Sequence, residues 1–339
     1  MPFNAPLSPA AMRETLEAII AGTLPEATIR EFLATLARRG ETAEEIATAV
    51  EVLRAHAVPL PVPTSLALCD TCGTGGDGQG TVNVSTLAAL VAAAAGVRIA
   101  KHGNRAASSR CGSADLLEAL GLNLSASPAQ VASCITDLGF GFCFAPVFHP
   151  AMKAVAPIRT SLGIRTLFNL VGPLANPARL TFQLVGVSDI TLLRPMAEAL
   201  QHLGLRHALI VHGRDGLDEI TTTTPTDALE VRDGRVTPLT INPDTIGIPI
   251  ARADALRGGS AKDNAAIARE ALAGPAPRGG AGKSSAVHDI IAVNAGCAIY
   301  VADQAATIQA GVARATDVLS SGRALTLLAQ VIERCRHAG

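Results

Sequence analysis

The sequence predicts an α/β protein: a mostly parallel sheet flanked by helices, preceded by a small N-terminal helical domain. Three observations carry this. Residues 1 to about 65 show helical periodicity only. From residue 66 onward, short apolar runs alternate with loops and amphipathic helices, the pattern of a parallel sheet. The first of those runs opens into Gly73-Thr74-Gly75-Gly76-Asp77-Gly78-Gln79-Gly80, where five glycines let backbone approach a ligand without Cβ atoms in the way.

Each element has its own signal. Residues 12–21 carry apolar side chains at helical spacing and stop at Gly22. Residues 26–39 repeat the pattern through Ile29, Phe32, Leu33 and Leu36 and stop at Gly40. Thr42, with Glu45 three residues on, reads as a capping box for a third helix. Pro59, Pro61 and Pro63 then mark a linker or hinge, so residues 1–65 form one unit and 66–339 the other. In the larger unit, strands are expected at 66–69, 97–100, 139–145, 180–187 and 207–211, and helices at 85–95, capped by Ser85, and at 192–203. Asp233-Gly234 is a hairpin turn between 228–231 and 236–241. The last third returns to helices, broken by a Gly/Pro/Ser stretch at 274–285.

Composition narrows the function. Apolar residues make up 48% of 339, enough for a large core, while aromatics are 3% with no Trp. That disfavours base-stacking platforms. A net charge of −1 gives no global basic field for nucleic acid. The N-terminus lacks the basic and apolar regions of an export signal. The longest apolar run, 87–97, is short of the roughly 20 residues a membrane span needs, so a soluble, cytoplasmic protein is expected. Cys69 and Cys72 form a Cys-x-x-Cys pair, but no second pair completes a zinc set, and plain reduced thiols are the simpler reading.

Several segments carry chemistry. Bare amides in the glycine loop form a concavity that attracts anions, and the helix after it points its positive end the same way. The strand at 97–100 runs into Lys101-His102-Gly103-Asn104-Arg105-Ala106-Ala107-Ser108-Ser109, a set suited to phosphate oxygens and sugar hydroxyls at a strand's C-terminal end. Gly112-Ser113-Ala114-Asp115 starts a helix, with Ser113 an N-cap, a phosphate-facing hydroxyl, or both. Arg159 suits a planar carboxylate or a structural ion pair, and Arg165 is open to the same second reading. Asp218-Glu219, following a strand, are either solvated acids or ligands for Mg²⁺, which takes one or two carboxylates plus phosphate oxygens.

Assembled in order, these segments resemble the anthranilate phosphoribosyltransferases along nearly the whole chain. The resemblance rests on Gly73 to Asp77, Asn83-Val84-Ser85-Thr86, Lys101 to Arg105, Gly112 to Asp115, His149-Pro150-Ala151-Met152, Phe168-Asn169, Gly172-Pro173-Leu174 and Asp218-Glu219. It implies the architecture of the pyrimidine nucleoside phosphorylases, a homodimer formed through the helical domain with help from helices near 160–180, and domain closure over the substrates. It further implies that Gly76, Asp77, Thr81, Asn83, Val84, Ser85, Thr86, Lys101, His102, Gly103, Asn104, Arg105, Ala106, Ala107, Ser108, Ser109 and Ser113 hold 5-phosphoribosyl-1-pyrophosphate. Ser85, Asp218 and Glu219 would bind Mg²⁺, and Gly73, Asn104 and Arg159 would position anthranilate. No general base is assigned; His102 and His149 are the candidates. A pyrimidine nucleoside phosphorylase and a nucleic-acid-binding relative of the same fold are the alternatives.

Overall fold

The computed structural model describes residues 3–106, 109–274 and 282–336. Three helices come first: α1 (Pro9–Ile20), α2 (Glu26–Arg39) and α3 (Ala43–Ala55). Thr42 and Glu45 cap α3 reciprocally, as the sequence predicts. The Glu45 carboxylate, 1% exposed, also accepts the Leu7 amide and pairs with Arg39, which binds the N-terminal segment to α2 and α3.

Beyond the prolines come β1 (Cys69–Gly73), α4 (Val84–Ala94), β2 (Ile99–Gly103), α5 (Ser113–Leu120), α6 (Pro128–Ser133) and β3 (Phe140–Phe144). Short helices α7 (Ala145–Phe148) and α8 (Ala156–Leu162) lead to α9 (Leu167–Leu174), β4 (Phe182–Gly186), α10 (Leu193–His202) and β5 (His207–Gly213). The hairpin β6 (Thr226–Arg232) and β7 (Arg235–Ile241) turns through Asp233 and Gly234, with φ of 47° and 75°. Helices α11 (Ala261–Leu272), α12 (Lys283–Val301), α13 (Ile308–Ser320) and α14 (Arg323–Cys335) complete the chain. Of the stretch at 274–285, residues 275–281 lie outside those described, and Lys283 to Ser285 belong to α12.

The strand order is β3-β2-β1-β4-β5-β6-β7, parallel from β3 to β5 and antiparallel in the hairpin. The chain winds one way from β1 to β3 and the other from β4 to β5. The switch point therefore lies between β1 and β4, where open α/β sheets bind ligands.

Alternate residues of each strand enter two cores. Leu184 and Leu209 join α4, α12, α13 and α14 on one face. Val185 and Ile210 join α10, α9 and the N-terminal helices on the other. Cys69 and Cys72 fall in different cores, which explains why their spacing makes no metal pair: three residues along a strand point opposite ways. All seven cysteines are free and buried.

Helix α12 is long and apolar enough to cross a membrane by length and composition, yet 83% of its most apolar window is buried inside the protein. It is the central helix of the first core, longer than the apolar run visible at 87–97. It crosses α13 with backbones in contact: a Cβ on Gly296 would lie 2.5 Å from the Val312 Cα.

A second backbone approach shapes the switch point. Gly73 and Gly186 are register partners at the ends of β1 and β4. The chain at Asp218 lies across them, its carbonyl overlapping the position a Gly186 Cβ would take. Gly296→Ala and Gly186→Ala must each displace backbone. Each is expected to lower unfolding free energy in urea by about 1–3 kcal/mol or more; wild-type midpoints for either would contradict the packing described.

Candidate functional site

The glycine loop is held at its ends and, through Gln79, at the Asp215 carbonyl, while its central amides stay open. The Thr74 amide donates to the Gly186 carbonyl at 2.9 Å, and Gly75 donates to Asp218 Oδ2 at 2.7 Å. At the far end, the Gly258 amide donates to the Gly80 carbonyl at 2.9 Å. Between them, Gly75, Gly76, Gly78 and Gly80 take φ of 63–81°, the left-handed region, and a Cβ on any of them would meet open space. Their identity follows from backbone conformation rather than crowding. Among the described residues, the amides of Gly76, Asp77 and Gly78 donate to no protein acceptor. Successive unpaired amides of this kind form an anion-binding concavity.

Helix α4 begins one residue earlier than expected. Asn83, not Ser85, is the N-cap, and Val84 is the first helical residue. Ser85 sits in the first turn, its amide donating to Glu219 Oε1 at 3.0 Å. The Thr71 hydroxyl donates to the Ser85 carbonyl at 2.8 Å, and the buried Thr86 hydroxyl has no protein partner. Thr81 bridges antiparallel to Arg257, at the loop's exit.

Asp218 and Glu219 thus meet the loop and the helix end separately. Burial, reinforced by the nearby Asp77 charge, pushes the Asp218 carboxyl up to about 6. Burial and then the Asp218 charge push Glu219 well above the usual carboxylate range. The charges of Asp218 and Asp77 both act on Glu219, and the Lys101 ammonium opposes them there. Oxygen donors whose charges repel suit a hard divalent cation. No protein-only cluster of three or more metal-ligating side chains occurs among the described residues, so the remaining ligands would come from phosphate oxygens or water.

The second expected loop divides in two. Lys101, His102 and Gly103 belong to β2. Lys101 is 1% exposed and donates from Nζ to the Thr71 carbonyl at 2.6 Å, turned into the protein beneath Glu219. A charge there is tolerable because Glu219 and the buried Asp70 face it. His102 is also internal: its Nδ1 meets the Gly172 carbonyl at 3.1 Å, and its ring lies 5.2 Å from that of His149. Burial, then the neighbouring His149, lower its pKa to about 3, leaving a neutral imidazole.

Asn104 and Arg105, next along that stretch, are exposed. The Asn104 side chain accepts its neighbour's amide at 2.8 Å, and its carbonyl accepts from Ala114 N–H at 3.2 Å and Ser113 Oγ at 3.3 Å. Arg105 is committed to Asp115 and Glu118, at 3.0 and 2.7 Å. The Ala106 amide donates to Asp115 Oδ2 at 2.8 Å, which also accepts from Gly112 N–H. Gly112 is therefore the N-cap of α5, and Ser113, expected to cap, is the first helical residue. Ser109 is exposed; Ala107 and Ser108 lie outside the described residues.

Arg159, on α8, makes no contact with these groups. Its guanidinium stacks over Phe168 at 5.5 Å to the ring centroid, and no carboxylate pairs with it among the described residues. Gly73, expected to face an acceptor, abuts Asp218: a Cβ there would come 2.5 Å from Oδ2. Asp70 and Asn176 are buried polar neighbours of the site that motif spacing does not reveal. Asn176 donates to Asp70 Oδ2 at 2.8 Å and to the Ala100 carbonyl at 2.7 Å, tying β1 to β2 below the site. A polar residue inside an apolar strand run is the available signal for Asp70.

Two family models match consecutive parts of the chain: the helical bundle domain of a glycosyl transferase family over residues 4–57, and its a/b domain over residues 65–325. The anthranilate phosphoribosyltransferase of Rubrobacter xylanophilus is 49% identical over 98% of this chain and 94% of its own length. The crystal structure of the enzyme of that name from Thermus thermophilus superposes with a TM-score of 0.91 at 45% identity, covering 98% and 97% of the two chains. One from Saccharomyces cerevisiae, in complex with PRPP and Mg, superposes with a TM-score of 0.87 at 28% identity, covering 97% and 94%. With likeness of this degree in sequence and in fold, over almost the entire length, the chain belongs to the anthranilate phosphoribosyltransferase family.

Proposed function

We propose that the chain transfers the phosphoribosyl group of 5-phosphoribosyl-1-pyrophosphate to the amine of anthranilate. The products are N-(5-phosphoribosyl)anthranilate and pyrophosphate, in the second step from chorismate to tryptophan. The observation that carries the reading is the placement of Asp218 and Glu219 between the glycine-loop amides and the start of α4, at the β1/β4 switch point. In this reading the amides of Gly76, Asp77 and Gly78 and the N-terminal turn of α4 hold the anionic substrate. Asn104, Ser109 and Ser113 line the approach from the β2 side. Asp218, Glu219 and Ser85 would hold Mg²⁺, which when bound would stabilise the charge of the departing pyrophosphate.

Cleaving the C1–O bond leaves positive charge on the ribose and negative charge on the leaving group, so donors fixed before reaction stabilise the transition state. The aromatic amine is neutral at pH 7 and attacks without prior deprotonation. His102 is held neutral and hydrogen-bonded through Nδ1, and no base is assigned to it. Lys101 acts as the internal counter-charge to Glu219 and Asp70, and Arg105 as a brace for the segment ahead of α5. Arg159 is the cation available to a carboxylate such as that of anthranilate. A homodimer contacting through its helical domain and a cytoplasmic location complete the reading.

The direct test follows loss of anthranilate fluorescence with phosphoribosyl pyrophosphate and Mg²⁺; no consumption by folded protein refutes the function. Phosphorolysis of uridine or thymidine, or salt-sensitive oligonucleotide binding, would instead favour the nucleoside phosphorylase or nucleic-acid-binding relative. Asp218→Asn combined with Glu219→Gln is expected to cut turnover about a hundredfold and to shift the Mg²⁺ dependence to higher concentration, with circular dichroism unchanged. Gly73→Ala, which pushes on the Asp218 carboxylate, should cost about a hundredfold in turnover through misplacement alone; full activity would remove Asp218 from the site. Arg159→Ala should raise the KM for anthranilate about tenfold or more while that for phosphoribosyl pyrophosphate stays within about twofold; the reverse pattern would move Arg159 to the other substrate.

A further inference from the structure

The segment ahead of α11 runs antiparallel to the exit of the glycine loop. Val82 N–H donates to the Leu256 carbonyl at 3.1 Å, Thr81 bridges to Arg257, and Gly258 N–H donates to the Gly80 carbonyl at 2.9 Å. Asn264, in the first turns of α11 and 3% exposed, closes this patch. Its Oδ1 accepts the Gly259 amide at 2.7 Å, and its Nδ2 donates to Asn83 Oδ1 at 2.9 Å. Asn83 in turn donates from Nδ2 to the Cys111 carbonyl at 2.8 Å. The contact is close: a Cβ on Gly258 would lie 2.7 Å from Asn264 Oδ1 and 2.8 Å from the Thr81 carbonyl.

Two amide side chains in series therefore join three segments: the Gly258–Gly259 turn, whose backbone pairs with the Gly80–Thr81 exit of the loop, the cap of α4, and the turn preceding Ser113. The loop exit, the cap and that last turn are segments that the proposed function turns toward the phosphoribosyl pyrophosphate. An amide suits the junction because it donates and accepts at one end; Asp keeps only acceptors, and Ala removes both. We propose that Asn264 is a positioning residue for phosphoribosyl pyrophosphate, acting through Asn83 to fix the spacing of these three backbone segments. The inference rests on the functional reading above. Asn264 touches no substrate itself, and its effect falls on the anionic substrate and not on anthranilate.

Calorimetric titration with magnesium phosphoribosyl pyrophosphate, beside steady-state kinetics, tests this on wild type, Asn264→Asp, Asn264→Ala, Asn83→Ala and the Asn264→Ala/Asn83→Ala double variant. The expected result is binding weakened about tenfold or more in each Asn264 variant, with the anthranilate KM within about twofold. The double variant should be little worse than the poorer single variant, because both remove one relay. Additive losses, equal losses for both substrates, or unchanged binding would overturn the proposal. Asn264→Asp preserves shape and the Gly259 contact, so it decides alone if the alanine variants fail to fold. A wild type that binds the compound without turnover refutes the functional reading and leaves the relay tested by binding; a wild type that does not bind overturns both.

Discussion

The structure turns on a close approach. Asp218 lies against the ends of β1 and β4, and it does so because the two residues paired there, Gly73 and Gly186, carry no side chains. From that contact the Asp218 carboxylate reaches the Gly75 amide, and Glu219 reaches the first turn of α4. The glycine loop and the acidic pair are thus fixed to one another, although 143 residues separate Gly75 from Asp218. Any added atom at the strand ends would separate them.

Electrostatics below the site answer that arrangement. Two half-buried carboxylates crowd one another from above and are opposed from inside by Lys101, itself balanced by Asp70. Asp70 is held by Asn176 and by the His102 amide, so the balance is built into two adjacent strands, β1 and β2, and the turn after α9. Burying a lysine costs desolvation that only such pairing offsets. The same protein interior keeps His102 uncharged, consistent with chemistry carried by placement and charge stabilisation more than by proton transfer.

Local signals are legible in the order of residues alone. The capping box of Thr42 and Glu45, helix 26–39 and the Asp233-Gly234 turn each follow from a few adjacent residues. So does the glycine loop. Cap positions slip where two candidates compete: Asn83 and Ser85 both suit an N-cap, and Gly112 displaces Ser113 because Asp115 can bond the Gly112 amide. What depends on contacts between distant residues is not legible. Nothing in Lys101-His102-Gly103-Asn104-Arg105 says that two of its charged or titratable side chains turn inward while Arg105 finds Asp115 and Glu118. Likewise, Gly186 reads as an ordinary strand end until Asp218 is seen lying on it.

Residue order has one more consequence. Ile220, next to Glu219, has both its amide and its carbonyl bonded by the side chain of Asn294, at 3.0 and 2.8 Å. Asn294 is fully buried in α12 and lies 74 residues further along the chain. During synthesis, the acidic pair therefore emerges well before the side chain that fixes its neighbour. A ribosome-bound intermediate ending before α12 would have the glycine loop and both carboxylates but not the side chain that holds Ile220. The contact that holds the acidic pair's neighbour arrives late in translation, with the helix that looks least functional of all.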